Sequence, residues 1–225
     1  MPAPQRSRPL KKEFLPKVFE SQKPVAFLEN ARPSTIPPYI RHLAWSPLGT
    51  AIAATSGANI RIWNPEKPNV KTSQELKGHS GAVEKVGWNP VKEAELASTG
   101  TDGTVKLWDL RVGAGATAGG KGSCVQDIKV GDQGLFMTWK PDGMEIVVGR
   151  RDDVIVPIDL RMGVMGNLEA LEAREGKKLQ SAQTNQICFS NSGREVFATT
   201  GEGLVKVLDW PSMVCTSASC LMTLY

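Results

Sequence analysis

The stretch GHSGAVEKVGWNPVKEAELASTGTDGTVKLWD spans residues 78–109. Its last run, TVKLWD (104–109), alternates apolar and polar side chains, the period of a half-buried strand. TDG at 101–103 is a tight-turn signal, because Asp bonds nearby backbone and Gly accepts positive φ. An earlier apolar run closes on KVGWNP (85–90). The segment reads as strand, turn, strand, tight turn, strand, with a longer return strand to follow.

The same order recurs along the chain. HLAWSP (42–47), KVGWNP (85–90), FMTWKP (136–141) and QICFSN (186–191) end their apolar runs alike. The aromatic residues there are Trp45, Trp88, Trp139 and Phe189, separated by 43, 51 and 50 residues. A second alternating run follows each of them: NIRIWN (59–64), TVKLWD (104–109), VIVPID (154–159) and LVKVLD (204–209). Turn signals lie between, at LGT (48–50), TDG (101–103), PDG (141–143) and NSG (191–193). A repeat of this length means an array of one supersecondary unit, in which neighbours cover each other's apolar faces. No helical pattern of comparable strength competes. LEALEAREGKK (168–178), between the third and fourth units, comes nearest.

The second unit resembles a WD repeat: Gly78-His79 opens it and Trp108-Asp109 closes it, at the WD spacing. The resemblance implies an all-β WD40 propeller. It also implies a hydrogen-bonded structural relay of His79, Ser98, Asp102 and Trp108. The same trio of His79, Ser98 and Asp102 could be read as a hydrolase triad. Against this, Ser98 lies inside a strand, whereas a triad serine needs an exposed, activated hydroxyl. The other units are degraded copies. The first has Ser56-Gly57-Ala58 without the aspartate, and the third keeps Asp152 but has Val148 for the serine. The fourth has Ala198, Glu202 and Leu208 at the serine, aspartate and tryptophan positions.

Three stretches look more specifically like the WD-repeat subunit of the nuclear THO complex, the THO complex subunit 3 family in its fungal form. They are residues 44–71, 78–111 and 139–159, the last reading WKPDGMEIVVGRRDDVIVPID. The resemblance implies a seven-bladed ring and a non-catalytic interaction subunit, in a complex that couples transcription to mRNA packaging and export (TREX). It implies other THO subunits as protein partners and a nuclear location. Four units against seven predict an incomplete propeller, truncated on the C-terminal side, with two open flanks. The expected layout is a basic, Pro-rich flexible arm (1–39), four blades (about 40–78, 79–132, 133–182 and 183–214) and an irregular tail (215–225). The turn Arg150-Arg151-Asp152-Asp153 is the candidate partner contact, since arginines can grip carboxylates in a bidentate manner.

Composition narrows the function classes. The net charge of +4 is uneven: residues 1–41 hold eight Lys/Arg against three Glu, and the remainder holds 19 against 20. A basic arm could touch RNA weakly through phosphates, while the near-neutral body offers no basic stripe. Cys124, Cys188, Cys215 and Cys220 form no C-x-x-C pair, and the histidines are His42 and His79. The sequence thus predicts no metal site, cofactor, small-molecule substrate, membrane span or catalytic residue. One stretch argues otherwise at first sight: GAGATAGGKG (113–122) contains most of a phosphate-binding loop. Lys121, however, is followed by Gly122 rather than Ser or Thr, and then by the strand-like SCVQDIKV. This predicts a long hairpin connection between two strands.

Overall fold

The computed structural model describes residues 39–67, 73–111, 123–161, 175–179 and 183–220. They form four antiparallel sheets of four strands each, every sheet a meander in chain order. The first blade holds β1 (Leu43–Trp45), β2 (Ile52–Ser56), β3 (Asn59–Trp63) and β4 (Gln74–Lys77). The second holds β5 (Val83–Trp88), β6 (Glu95–Gly100), β7 (Thr104–Asp109) and β8 (Ser123–Lys129). The third holds β9 (Gly134–Trp139), β10 (Glu145–Arg150), β11 (Val154–Asp159) and β12 (Lys177–Lys178). The fourth holds β13 (Thr184–Phe189), β14 (Glu195–Thr200), β15 (Leu204–Asp209) and β16 (Cys215–Cys220). This is the all-β WD-type propeller architecture that the repeat predicts.

A meander of four strands has two apolar faces, and each must be covered. Neighbouring blades do this in sequence. Ile60, Ile62 and Leu76 of the first blade pack with Val86, Trp88 and Leu96 of the second. Val105 and Ile128 pack with Met137, Ile146 and Ile158 of the third. Val147, Ile155 and Leu179 pack with Ile187, Val196 and Leu208 of the fourth. The first strands β1, β5, β9 and β13 stand side by side along the inner edge. There the repeated tryptophan acts as a peg. Trp88 Nε1 donates to the carbonyl of Ala44 at 3.1 Å, and Trp139 Nε1 donates to that of Gly87 at 2.9 Å. Each acceptor lies just before the aromatic residue of the preceding blade. Phe189 holds the same place in the fourth blade without a donor. On β1, where no described sheet precedes, Leu43 and Trp45 are 52% and 54% exposed.

The first strands of blades two to four share a β-bulge near their start. Their registers slip around Glu84, Leu135 and Asn185. A bulge bends the strand and increases its twist, and here the bend recurs at one place in each blade. The tight turns into the third strand repeat as well. Gly103, Asp153 and Gly203 adopt φ of 71°, 65° and 75°. Asp is among the few residues with a side chain that take this conformation readily.

Three segments bear on the expected layout. Cys215–Cys220 pairs along Leu204–Leu208 as a fourth strand, which corrects the expected irregular tail. Its sequence, CTSASC, carries no strong apolar alternation, because the backbone ladder to β15 holds it. Of LEALEAREGKK, Lys177–Lys178 form β12 against Val154 and Ile155; residues 168–174 lie outside the described residues, as do the arm (1–38) and residues 221–225. GAGATAGGKG also lies outside them, but β7 and β8, which it joins, are antiparallel neighbours.

The pegs can be weighed one at a time. Trp139→Phe deletes one N–H···O bond and trims the indole to a smaller benzene ring, so it should lower stability by at least about 1 kcal/mol. Urea denaturation of the variant against the parent chain checks this.

Candidate functional site

The second blade brings His79, Ser98, Asp102 and Trp108 together from four places in the chain. Ser98 is in mid-β6 and Trp108 near the end of β7, both facing the first blade. His79 enters from the loop before β5, and Asp102 comes from the β6–β7 turn. Trp108 Nε1 donates to Ser98 Oγ at 2.8 Å. Ser98 Oγ lies 2.8 Å from His79 Nε2, and His79 Nδ1 lies 2.8 Å from Asp102 Oδ2. One proton assignment satisfies every group: the indole donates to the serine, the serine to Nε2, and Nδ1–H to the carboxylate. Asp102 also accepts from the Ser80 N–H at 2.9 Å and from the Thr104 hydroxyl at 2.9 Å.

Electrostatics agree with this assignment. Burial is the largest influence on His79 and lowers its pKa, outweighing the Asp102 carboxylate that favours the cation. For Asp102, burial pushes upward, but the His79 hydrogen bond and charge, Thr104 and Ser80 together bring its pKa down to about 2. The same geometry disposes of the triad reading. Ser98 is fully buried, its oxygen accepts the hydrogen bond of the indole N–H, and the His79 side chain has no exposed surface. No substrate carbonyl can reach that hydroxyl, so the trio is a structural lock.

The third blade replaces the lock. Val148 stands for the serine and Ile158 for the tryptophan, both fully buried, so no indole N–H has to be satisfied. Asp152, aligned with Asp102, pairs with Arg150 instead. Arg150 Nη1 also donates to the Val130 carbonyl at 3.0 Å, bridging to the loop before β9. Asp153 is buried, and Thr184 of the fourth blade donates its hydroxyl to it at 2.6 Å. The candidate contact turn is thus mostly spent internally. Its exposed side chain without a hydrogen bond or ion pair to a described residue is Arg151.

Two polar pins were not singled out in the sequence. Asn89, fully buried, donates from Nδ2 to the Gly143 carbonyl of the next blade at 3.1 Å, while its Oδ1 accepts from Val91 N–H and Lys92 N–H. Glu145, 3% exposed, accepts from Trp210 Nε1 of the fourth blade at 2.8 Å and from Lys140 and Arg161 at 2.9 Å each. Arg161 also grips Asp159, as Arg111 grips Asp109 in the second blade. The repeated Asp-Leu-Arg at 109–111 and 159–161 was the available signal for this cluster. Among the described residues no group of three or more His, Cys, Asp and Glu could hold a metal ion.

Comparison with known proteins adds an independent line. The family model of the WD domain, G-beta repeat, matches residues 33–64 and 70–109. THO complex subunit 3 of Arabidopsis thaliana is 32% identical over 177 residues, covering 77% of this chain and 50% of that protein. WD repeat-containing protein AAC3 of Dictyostelium discoideum is 27% identical over 219 residues, covering 88% and 41%. Coronin-7 of Mus musculus is 30% identical over 146 residues, covering 60% and 15%. The chain spans half or less of the length of these curated relatives. The matched repeats agree with the four meander sheets and the one full relay, which together give the fold of a WD-type propeller.

Two measurements test the lock. Ser98→Ala strands the Trp108 N–H and His79 Nε2 in the core, so it should cost about 3 kcal/mol. Ser98→Ala with Trp108→Phe should cost less than the two singles summed, because either alone already breaks their shared bond; chemical denaturation reads both. The pH dependence has a definite sign. Both folded pKa values lie below their unfolded ones, so the unfolded chain binds more protons in acid and stability is lost as pH falls. Melting temperature should start to drop below about pH 6.5 through His79, and drop again from pH 3.8 towards about 2 through Asp102. His79→Gln should flatten the first decline.

Proposed function

We propose that the chain is a non-catalytic scaffold subunit of a nuclear THO complex, acting through protein–protein contacts in the coupling of transcription to mRNA processing and export. The observation that carries this reading is the similarity to THO complex subunit 3 over 177 residues. The stretches that resemble that family, 44–71, 78–111 and 139–159, fall in the first three blades. The geometry supports a scaffold. His79, Ser98 and Asp102, the trio open to a triad reading, are engaged with one another in holding the second blade together. What remains for recognition is loops on a rigid frame, where binding residues usually sit.

In this reading the four blades are part of a larger ring, of seven blades, and the partners are other THO subunits. Arg151 is the contact residue at the β10–β11 turn, and Arg150, Asp152 and Asp153 hold it in place. The basic arm, with eight Lys/Arg against three Glu in residues 1–41, adds a weak contact to RNA.

Affinity purification of the tagged chain from nuclear extract tests the proposal. THO subunits should be recovered, and Arg151→Glu should reduce their yield without changing the melting temperature of the chain. Recovery of ubiquitin-ligase or chromatin-modifying subunits in place of THO components would reject it and favour an adaptor of another nuclear assembly.

A further inference from the structure

The inner edge of the blades carries a groove of about 520 Å³, lined by residues of β1, β5, β9 and β13 and of the turns after β5, β9 and β13. Trp88, Trp139 and Phe189 are its aromatic lining, and Met137, Ile187, Pro90 and Pro141 also line it. No Asp or Glu lines it. Lys85 does, and it is half-buried without a hydrogen bond or ion pair to any described residue. The neighbouring carboxylate, Glu84, is engaged elsewhere, with Arg41 at 2.5 Å.

An uncompensated ammonium against apolar walls is unfavourable, and its ordinary remedy is a carboxylate. Burial indeed lowers the Lys85 pKa. His42, on the same wall, is also lowered, by burial first and then by the Lys85 charge. It therefore stays neutral at neutral pH and leaves Lys85 as the groove's single cation. The His42 Nδ1 atom is buried and has no hydrogen-bond partner.

We propose that this groove docks a short acidic and apolar peptide segment of a partner protein. One carboxylate of the segment meets Lys85, and apolar neighbours lie on Trp139 and Phe189. A nucleic-acid strand fits less well. Phosphodiester tracking needs a row of cations, and the groove has one. The Trp88 and Trp139 rings are fixed as walls by their bonds to the Ala44 and Gly87 carbonyls, and Trp88 is only 6% exposed, which leaves little face for a base to stack on. The inference stands on the groove alone and does not depend on the THO reading.

The test is to pan a displayed library of random dodecapeptides on the chain and measure the enriched peptides by fluorescence polarisation. The enriched sequences should share an Asp or Glu beside an apolar residue. Lys85→Met should weaken them at least tenfold, the effect of one lost charge-assisted bond, and Lys85→Arg should retain most of the affinity. Lys85→Met should also keep or raise the melting temperature, since it removes an unpaired cation. Enriched peptides without an acid, no enrichment, or affinity indifferent to Lys85→Met would overturn the proposal. So would a lower melting temperature for Lys85→Met, which would mean that Lys85 already has its partner within the blades. A homopolymeric RNA probe bound more tightly than the peptides, and released by Lys85→Met, would transfer the groove to nucleic acid.

Discussion

Each sheet of this protein is a four-stranded meander with two apolar faces, and neither face can be left in water. Everything else follows from covering them. Adjacent blades share three apolar clusters, one at each boundary, and each cluster draws on both blades. At roughly 25 cal/mol per Å² of apolar surface removed from water, this burial is the main favourable term. It is also indifferent to fine detail. Val, Ile and Leu stand at equivalent positions, as Ile52, Leu96, Ile146 and Val196 show.

Polar bonds then supply what burial cannot, a fixed angle and register between blades. The second blade uses the His79–Ser98–Trp108–Asp102 lock. The boundary between the first two blades has the Trp88 peg, and the next has the Trp139 peg together with Asn89. The boundary after that has Glu145 with Trp210, and Asp153 with Thr184. These are different solutions to one requirement: a buried donor or acceptor must find a partner or cost about 1–3 kcal/mol. They also explain how the relay could decay in three blades without loss of the fold. Once Ile158 replaces the tryptophan, no indole N–H asks for a serine, and Val148 is the better occupant.

The fold and the lock were largely legible because they depend on local pattern. Alternation marks a strand, Asp-Gly marks a turn, and His79, Ser98, Asp102 and Trp108 recur at a spacing set by the blade itself. The candidate contact turn was less legible. Asp152 and Asp153 look equivalent in the sequence, yet one faces Arg150 at the surface and the other is buried with positive φ. One residue along a tight turn reverses the direction of a side chain. CTSASC was misread for another reason, since a strand held by its backbone ladder needs no apolar signature.

The sequence by itself determined the repeat, the strand-forming runs and the single complete relay, because those are properties of spacing within one unit. Only the tertiary structure decided which polar groups meet across blades. Trp210 and Glu145 are 65 residues apart, and Asn89 and Gly143 are 54 apart. The structure likewise decided that Lys85 faces a groove without a carboxylate. Such pairings depend on the angle and height at which one blade stacks on the next. That angle is set by the packing of whole faces and by the bulges at Glu84, Leu135 and Asn185, and no short motif encodes it.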